Sequence, residues 1–151
     1  MELQVSSRQS LRKISKPLVK KIVRNLTDRL QCRVEDVSVV FVDDAFITGL
    51  NRIYFSKDNP TDVISFPFTD YEHDGIVSGE ILISVERAIE QCRRYRTTLA
   101  EEVCRYVVHG FLHLLGYADE PEAERARMKR KENNLLRFLR DERFPFEQLV
   151  V

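Results

Sequence analysis

The chain has 151 residues, of which 43% are hydrophobic and 32% are charged. This is enough to bury one core and too few to suggest two independent domains, so we expect a single domain spanning 1–151. Its 24 basic and 24 acidic side chains cancel, so the net charge does not by itself indicate a nucleic-acid-binding protein. Three cysteines without a CxxC spacing exclude a thiolate zinc knuckle and a disulfide framework.

The first part of the chain is basic. Residues 1–33 contain nine Lys or Arg and two acidic residues, a distribution that suits contact with phosphates, although a solvated helix face is the more common outcome. No continuous apolar block occurs there, so we expect neither a secretory signal nor a membrane span, and a cytoplasmic location. The spacing of apolar and β-branched residues predicts a strand, a helix, a strand and a helix, in this order: Leu3–Val5, Pro17–Gln31, Val37–Val42 and Ala45–Tyr54.

Turn residues and helical spacing divide the second part of the chain. The turn KDNPT precedes a strand, and a polar connection, in which we expect His73 to face solvent, separates this strand from the next. Thr98 is a candidate N-cap for the longest helix, and Gly116 is its natural end. The predicted elements are the strands Asp62–Phe68 and Glu80–Ser84, the connection Thr69–Ser78, and helices over Val85–Tyr95, from Thr98 or Leu99 to Leu115, and over Pro121–Leu139.

The segment HGFLHLLGYAD, at the end of the longest predicted helix, contains the residues that point to chemistry. His109 and His113 are four residues apart, so both imidazoles lie on one helix face and can bind one ion. Gly116 can adopt the left-handed backbone that ends a helix, after which Asp119 can approach the same ion. Three protein ligands leave one coordination position open, as in catalytic zinc sites.

Two histidines at helical spacing are also compatible with partly buried rings that form hydrogen bonds and bind no metal. The glycine and the aspartate that follow favour one divalent metal ion, with zinc as the first candidate. A peptidase of the HExxH type has Glu beside its first ligand, where this chain has Gly110. A catalytic base must then come from another segment, and Glu80 and Asp62 are the candidates.

Three segments of the chain resemble those of one protein family. NRIYFSKDNPTDVISFPF, GEILISVERA and HGFLHLLGY are similar, in this order, to segments of the YbeY family of bacterial endoribonucleases, and the similarity extends from about Val37 to Glu132. The resemblance implies an α+β fold, a small mixed sheet of about four strands packed by about five helices, with the metal site at the end of a central helix. It also implies a metal-dependent hydrolase of single-stranded RNA that takes part in rRNA maturation, particularly at the small-subunit 3′ end, and in ribosome quality control.

The chain departs from the family pattern at three positions. Asp119 replaces the third His of HGxLHLxGYDH; a carboxylate is an accepted zinc ligand, but its charge makes bound water less acidic. Phe55 occupies a position where the family commonly has Arg, which removes a guanidinium suited to bidentate phosphate binding. Glu80 stands where the family usually has Asp, and the longer side chain would alter any contact of this carboxylate with the groups around the metal ligands.

These observations leave three functions open. The first is a zinc-dependent endoribonuclease that acts on single-stranded rRNA at the small ribosomal subunit. The second is a ribosome-associated binding protein with a structural metal and weak or absent nuclease activity, and the third is another zinc hydrolase or a metallopeptidase. Lys57, Ser65 and Tyr117 are the candidates for substrate binding, although a solvated turn residue and buried hydroxyl groups are common alternatives. The sequence does not indicate an oligomeric state.

Overall fold

The computed structural model describes residues 2–68 and 75–151, which contain a four-stranded sheet and five α-helices. The strands are β1 (Glu2–Ser7), β2 (Arg33–Val42), β3 (Val63–Pro67) and β4 (Ile76–Ser84), and the helices are α1 (Lys16–Leu30), α2 (Asp44–Phe55), α3 (Val85–Tyr95), α4 (Leu99–Leu114) and α5 (Glu122–Asp141). The strand order is β1-β2-β4-β3, with β1, β2 and β4 parallel and β3 antiparallel to β4. The expected α+β class with a small mixed sheet is confirmed.

Side-chain caps place the starts of four helices close to the predicted positions. Ser15, Asp43 and Ser84 each accept a hydrogen bond from a backbone N–H in the first helical turn. Thr98, the predicted N-cap, accepts one from the N–H of Glu101 at 3.1 Å. Because the first N–H groups of a helix have no intrahelical partner, these side chains favour a helix start at the residue that follows them.

Three strands are longer than the sequence pattern predicts, and β1 spans Glu2–Ser7 rather than Leu3–Val5. β2 begins at Arg33 and β4 at Ile76, in both cases four residues before the predicted start. Their first residues pair with each other, and a register shift between Val34 and Asp36 precedes the β-branched run from which β2 was predicted. The connection predicted for Thr69–Ser78 is wrong at its end, because β4 includes its last three residues; its residues 69–74, with His73, lie outside the described ranges.

Helix α4 contacts both the sheet and three other helices. It packs on β3 and β4 and also contacts α1, α3 and α5. Val107 and Phe111 of α4 are fully buried in the larger hydrophobic core, whereas Leu82 of β4 belongs to a smaller core that α2 covers on the opposite face of the sheet. Although α4 is largely apolar, no helix within 2–68 or 75–151 combines the length and the apolar character needed to span a membrane.

Glycine at position 110 allows α4 to approach the sheet closely. A Cβ atom on Gly110 would overlap the side chain of Ile81 and would lie 3.1 Å from Val63 Cγ1. At the same place Ser65 Oγ donates a hydrogen bond to the Gly110 carbonyl oxygen at 3.0 Å. These contacts fix the position of α4 on β3 and β4 at the residue directly after His109.

We predict that Gly110→Ala lowers the free energy of unfolding by about 1–3 kcal/mol, because the added methyl group overpacks the contact between α4 and the sheet. Urea denaturation followed by circular dichroism measures the change. Gly49→Ala is the matched control, since Gly49 also lies within a helix and its added Cβ would meet no atom within 4 Å. Helix propensity alone should stabilise the control variant, so equal effects of the two substitutions would contradict the close approach.

Candidate metal centre

The last two turns of α4 contain His109 and His113 and end in a Schellman motif. The N–H of Gly116 donates to the His113 carbonyl oxygen at 3.0 Å, and the N–H of Tyr117 donates to the preceding carbonyl oxygen of the helix at 3.1 Å. Gly116 has a φ of +96°, in the left-handed region expected for this position. The chain then turns back, and Asp119 lies against the two imidazoles.

Three potential ligand atoms converge after this turn. His113 Nε2 lies 3.1 Å from His109 Nε2 and 3.0 Å from Asp119 Oδ2. His109 Nε2 lies 3.8 Å from the same carboxylate oxygen. One point is about 2 Å from all three atoms, which matches the length of zinc bonds to imidazole nitrogen and carboxylate oxygen. In the part of the chain that the structure describes, no other group of three His, Cys, Asp or Glu side chains converges in this way.

The hydrogen bonds of the other ring nitrogens fix the tautomers of both imidazoles. His113 Nδ1 lies 3.0 Å from the Tyr117 carbonyl oxygen, which can only accept, so Nδ1 holds the proton. His109 Nδ1 donates in the same way to Glu132 Oε2 at 2.9 Å. In the neutral rings both Nε2 atoms therefore present lone pairs, beside a carboxylate oxygen that also only accepts. Three acceptors at these distances repel one another unless a cation lies between them, so the donor set fits a divalent metal ion.

Glu132 is a buried carboxylate that orients His109 from α5. Its side chain is 5% exposed and accepts a hydrogen bond from Arg105 Nη1 at 2.7 Å, while Lys129 Nζ lies 3.8 Å away. Burial alone would raise the pKa of Glu132, but the hydrogen bonds from His109 and Arg105 outweigh burial and lower the pKa. The carboxylate is therefore ionised, and its charge is compensated by the groups around it.

The pKa values of the two imidazoles shift in opposite directions. Burial by itself lowers the pKa of His109, but the hydrogen bond and the charge of Glu132 outweigh it and raise the pKa. For His113, burial and the nearby His109 ring together lower the pKa. At neutral pH the ring of His113 is thus uncharged, and a metal ion competes with a proton chiefly at His109.

An open cleft of about 500 Å³ extends from the metal centre, lined by residues of α3, α4 and α5. His109 and Asp119 line it, and so does Asp62, one of the two predicted bases. Asp62 Oδ1 accepts hydrogen bonds from the Val63 N–H at 2.9 Å and from Thr61 Oγ1 at 3.4 Å. Asp62 Oδ2 accepts none from residues 2–68 or 75–151, so this oxygen is available to take a proton.

Glu80, the other predicted base, does not line this cleft. Consecutive side chains of a strand point to opposite faces of the sheet, and Ile81 meets Gly110 of α4. Glu80 therefore lies on the face that α2 covers, where it pairs in register with Phe66. The sheet separates Glu80 from the two histidines.

The three residues predicted to bind substrate have different surroundings. The hydroxyl group of Ser65 donates to α4, so it contributes to the packing of the helix on the sheet. Tyr117 supplies the carbonyl oxygen that orients His113, and its ring centroid lies 4.9 Å from the guanidinium carbon of Arg127. Lys57 is exposed after the end of α2, and none of the ion pairs among the described residues includes it.

Glu132 was not predicted from the sequence, although its place among the apolar residues of α5 indicates a buried carboxylate. Met128 lies four residues before it, and Leu135 and Leu136 lie three and four residues after it, so an acidic side chain interrupts the apolar stripe of α5. Glutamate is seldom buried without a partner, so a carboxylate in such a stripe indicates a cationic or hydrogen-bonding group on the helix opposite.

The protein combines an α+β fold with three side chains, at the end of helix α4, that could hold a metal ion beside an open cleft. The chain belongs to the YbeY family, because the family model described as Endoribonuclease YbeY matches residues 3–140. The resemblance noted in the sequence is thereby confirmed.

The comparisons with individual proteins agree with this family. The chain is 42% identical to Endoribonuclease YbeY from Carboxydothermus hydrogenoformans, covering 79% of this chain and 82% of that protein. It is 36% identical to Endoribonuclease YbeY from Clostridioides difficile, covering 90% of this chain and 95% of that protein. The solution structure of TM1509 from Thermotoga maritima has a TM-score of 0.60 at 23% identity, covering 97% of this chain and 95% of that one, which supports the fold.

We predict that Glu132→Gln weakens zinc binding by about 10-fold or more, because the neutral amide lowers the basicity of the His109 ring. Competition against a chromophoric chelator measures the affinity. The same substitution should lower the pKa of His109 in metal-free protein, since the carboxylate raises it, and NMR titration measures this pKa. Glu124→Gln is the matched control, since Glu124 is a half-exposed carboxylate in the first turn of α5 that contacts neither histidine, and zinc affinity that falls equally in both variants would contradict the assignment.

Proposed function

We propose that this chain is a zinc-dependent endoribonuclease specific for single-stranded RNA. Its substrate is ribosomal RNA, at the 3′ end of the small-subunit RNA and in ribosome quality control, and its partner is the small ribosomal subunit. It works in the cytoplasm as one domain spanning 1–151. The observation that carries the proposal is the convergence of three acceptor atoms on one point at the end of an open cleft. Membership of a family described as endoribonucleases supports RNA as the substrate.

In this proposal His109, His113 and Asp119 hold the zinc ion. Two imidazoles and one carboxylate are donors that zinc accepts, and three protein ligands leave a position facing the cleft. When bound, the ion supplies Lewis-acid chemistry at the scissile phosphate and makes water more acidic. Glu132 holds the His109 ring and the Tyr117 carbonyl holds the His113 ring, so both Nε2 atoms stay directed at one point.

Asp62 is the proposed general base of the reaction. It lines the same cleft as His109 and Asp119, and its charge contributes to raising the pKa of His109. Its Oδ1 atom is occupied by backbone and hydroxyl donors, whereas Oδ2 is available to accept a proton from the attacking water. Glu80 ranks below it because Glu80 lies on the other face of the sheet.

Three basic side chains are the proposed phosphate contacts, two of them in the cleft and one outside its lining. Arg125 and Lys129 line the cleft from α5, one helical turn apart, and Lys57 lies exposed after α2. Phosphate neutralisation by such side chains supplies much of the affinity for RNA and depends strongly on salt.

We predict that purified wild-type protein contains about one zinc ion per chain and that Asp119→Ala contains clearly less, because two imidazoles alone hold zinc weakly. Elemental analysis after dialysis measures the content. Glu120→Ala is the matched control, since it removes the neighbouring exposed carboxylate. A zinc content that is unchanged in Asp119→Ala would mean that Asp119 is not the third ligand.

We predict that the protein cleaves single-stranded RNA, that a chelator stops cleavage and that zinc restores it. His113→Ala should be inactive because it loses a metal ligand. Asp62→Asn should lower the cleavage rate by about 10²–10⁴-fold, the usual contribution of a general base, while Glu80→Gln changes it far less. Gel electrophoresis of a labelled oligonucleotide measures each rate.

Each control of this assay decides between alternatives. Cleavage that survives both the chelator and His113→Ala would contradict the metal-dependent nuclease and indicate a contaminant. A wild-type protein that binds zinc and RNA without cleaving would support the ribosome-associated binding protein instead. A large effect of Glu80→Gln with none of Asp62→Asn would reverse the assignment of the base.

A further inference from the structure

Three aromatic side chains lie together on the α2 side of the sheet and form what we call the aromatic platform: Tyr54, Phe55 and Phe66. Tyr54 and Phe55 are 61% and 49% exposed, at the end of α2. Their ring centroids lie 5.1 Å and 6.3 Å from the centroid of Phe66, which belongs to β3. Large exposed apolar side chains that touch one another usually mark a binding surface on a soluble protein.

The ring planes of the platform favour a flat ligand. Phe55 and Phe66 are nearly parallel, with an angle of 14° between their planes, whereas Tyr54 meets Phe66 edge-on at 62°. Phe66 therefore supports Phe55 from one side, and among the described residues no ring covers the other face of Phe55. An exposed aromatic face binds unpaired nucleobases by stacking, because every base has a π face.

Positive charge lies next to the platform. Lys57 follows Phe55 by two residues, is exposed and takes part in none of the ion pairs among the described residues. Arg52, which also lies near the end of α2, is paired with Asp58. A flat apolar surface beside an unpaired amine complements a nucleotide, which combines a base with a phosphate, better than it complements an apolar protein surface.

The platform and the candidate metal centre are separated by one strand. Phe66 directly follows Ser65, and Ser65 Oγ is 3.0 Å from the carbonyl oxygen of Gly110, the residue after His109. β3 is the last strand of the sheet in the described part of the chain, so no further strand there lies between the platform and the cleft. A single-stranded RNA that crosses the edge at β3 can therefore contact both.

We infer that the aromatic platform binds one unpaired base of the RNA by stacking on Phe55, with Lys57 contacting an adjacent phosphate. The contact positions the RNA relative to the metal centre and favours a purine at the stacked position, since a purine offers more stacking area than a pyrimidine. The inference rests on the proposed nuclease function, which supplies RNA as the ligand.

The test uses metal-free full-length protein and a single-stranded RNA of about 10 nucleotides that contains 2-aminopurine. Quenching of the 2-aminopurine fluorescence reports stacking, and anisotropy reports affinity. Phe55→Ala and Phe55→Leu should weaken binding by about 10-fold and remove the quenching, whereas Phe55→Trp should keep both. Ile53→Ala is the matched control, because Ile53 is 73% exposed on the same helix and is not part of the platform.

The outcomes separate this inference from the proposed function. If wild-type protein cleaves RNA but Phe55→Leu binds and quenches like wild type, the platform assignment is wrong and the nuclease remains. If wild-type protein does not cleave but Phe55 variants lose quenching as expected, the nuclease proposal is wrong and the platform remains. Equal RNA affinity of the Leu and Trp variants would overturn stacking and favour a protein partner for this apolar surface.

Discussion

The hydrogen bond from His109 to Glu132 is the interaction on which the candidate metal centre depends. It selects the tautomer of His109, and it connects α4 to α5 through a carboxylate that also accepts from Arg105. On the other side of α4, the contact at Gly110 holds the helix against β3 and β4. His109 and Gly110 are adjacent in α4, and they are restrained by α5 and by the sheet, respectively. The orientation of the His109 ring is therefore set by these contacts rather than by its own rotamer preference.

The close contact at Gly110 also explains why the candidate metal centre lacks the carboxylate that HExxH peptidases have beside their first ligand. A side chain at that position would enter the sheet rather than the cleft. The proposed general base comes instead from another segment: Asp62 stands immediately before β3 and lines the cleft. The close packing of α4 on the sheet and the lack of a side chain beside His109 are thus consequences of one glycine.

The features that could be predicted from the sequence are those with local causes. Helix ends followed from caps such as Thr98, and the convergence of His109, His113 and Asp119 followed from helical periodicity and a glycine end within eleven residues. The early starts of β2 and β4 were missed because pairing with a neighbouring strand, not local composition, extends them. Glu132 was missed because its partner lies 23 residues away, and the choice between Asp62 and Glu80 required the sheet face of each.

The position of β3 at the edge of the sheet has a mechanical consequence. An extended strand has almost no freedom to lengthen or shorten, so Phe66 on one face and the Ser65 contact to α4 on the other keep a constant separation. In the proposed function, β3 is the spacer between a base stacked on Phe55 and the candidate metal centre. The offset between the stacked base and the metal centre would then be set by the packing of α4 on β3.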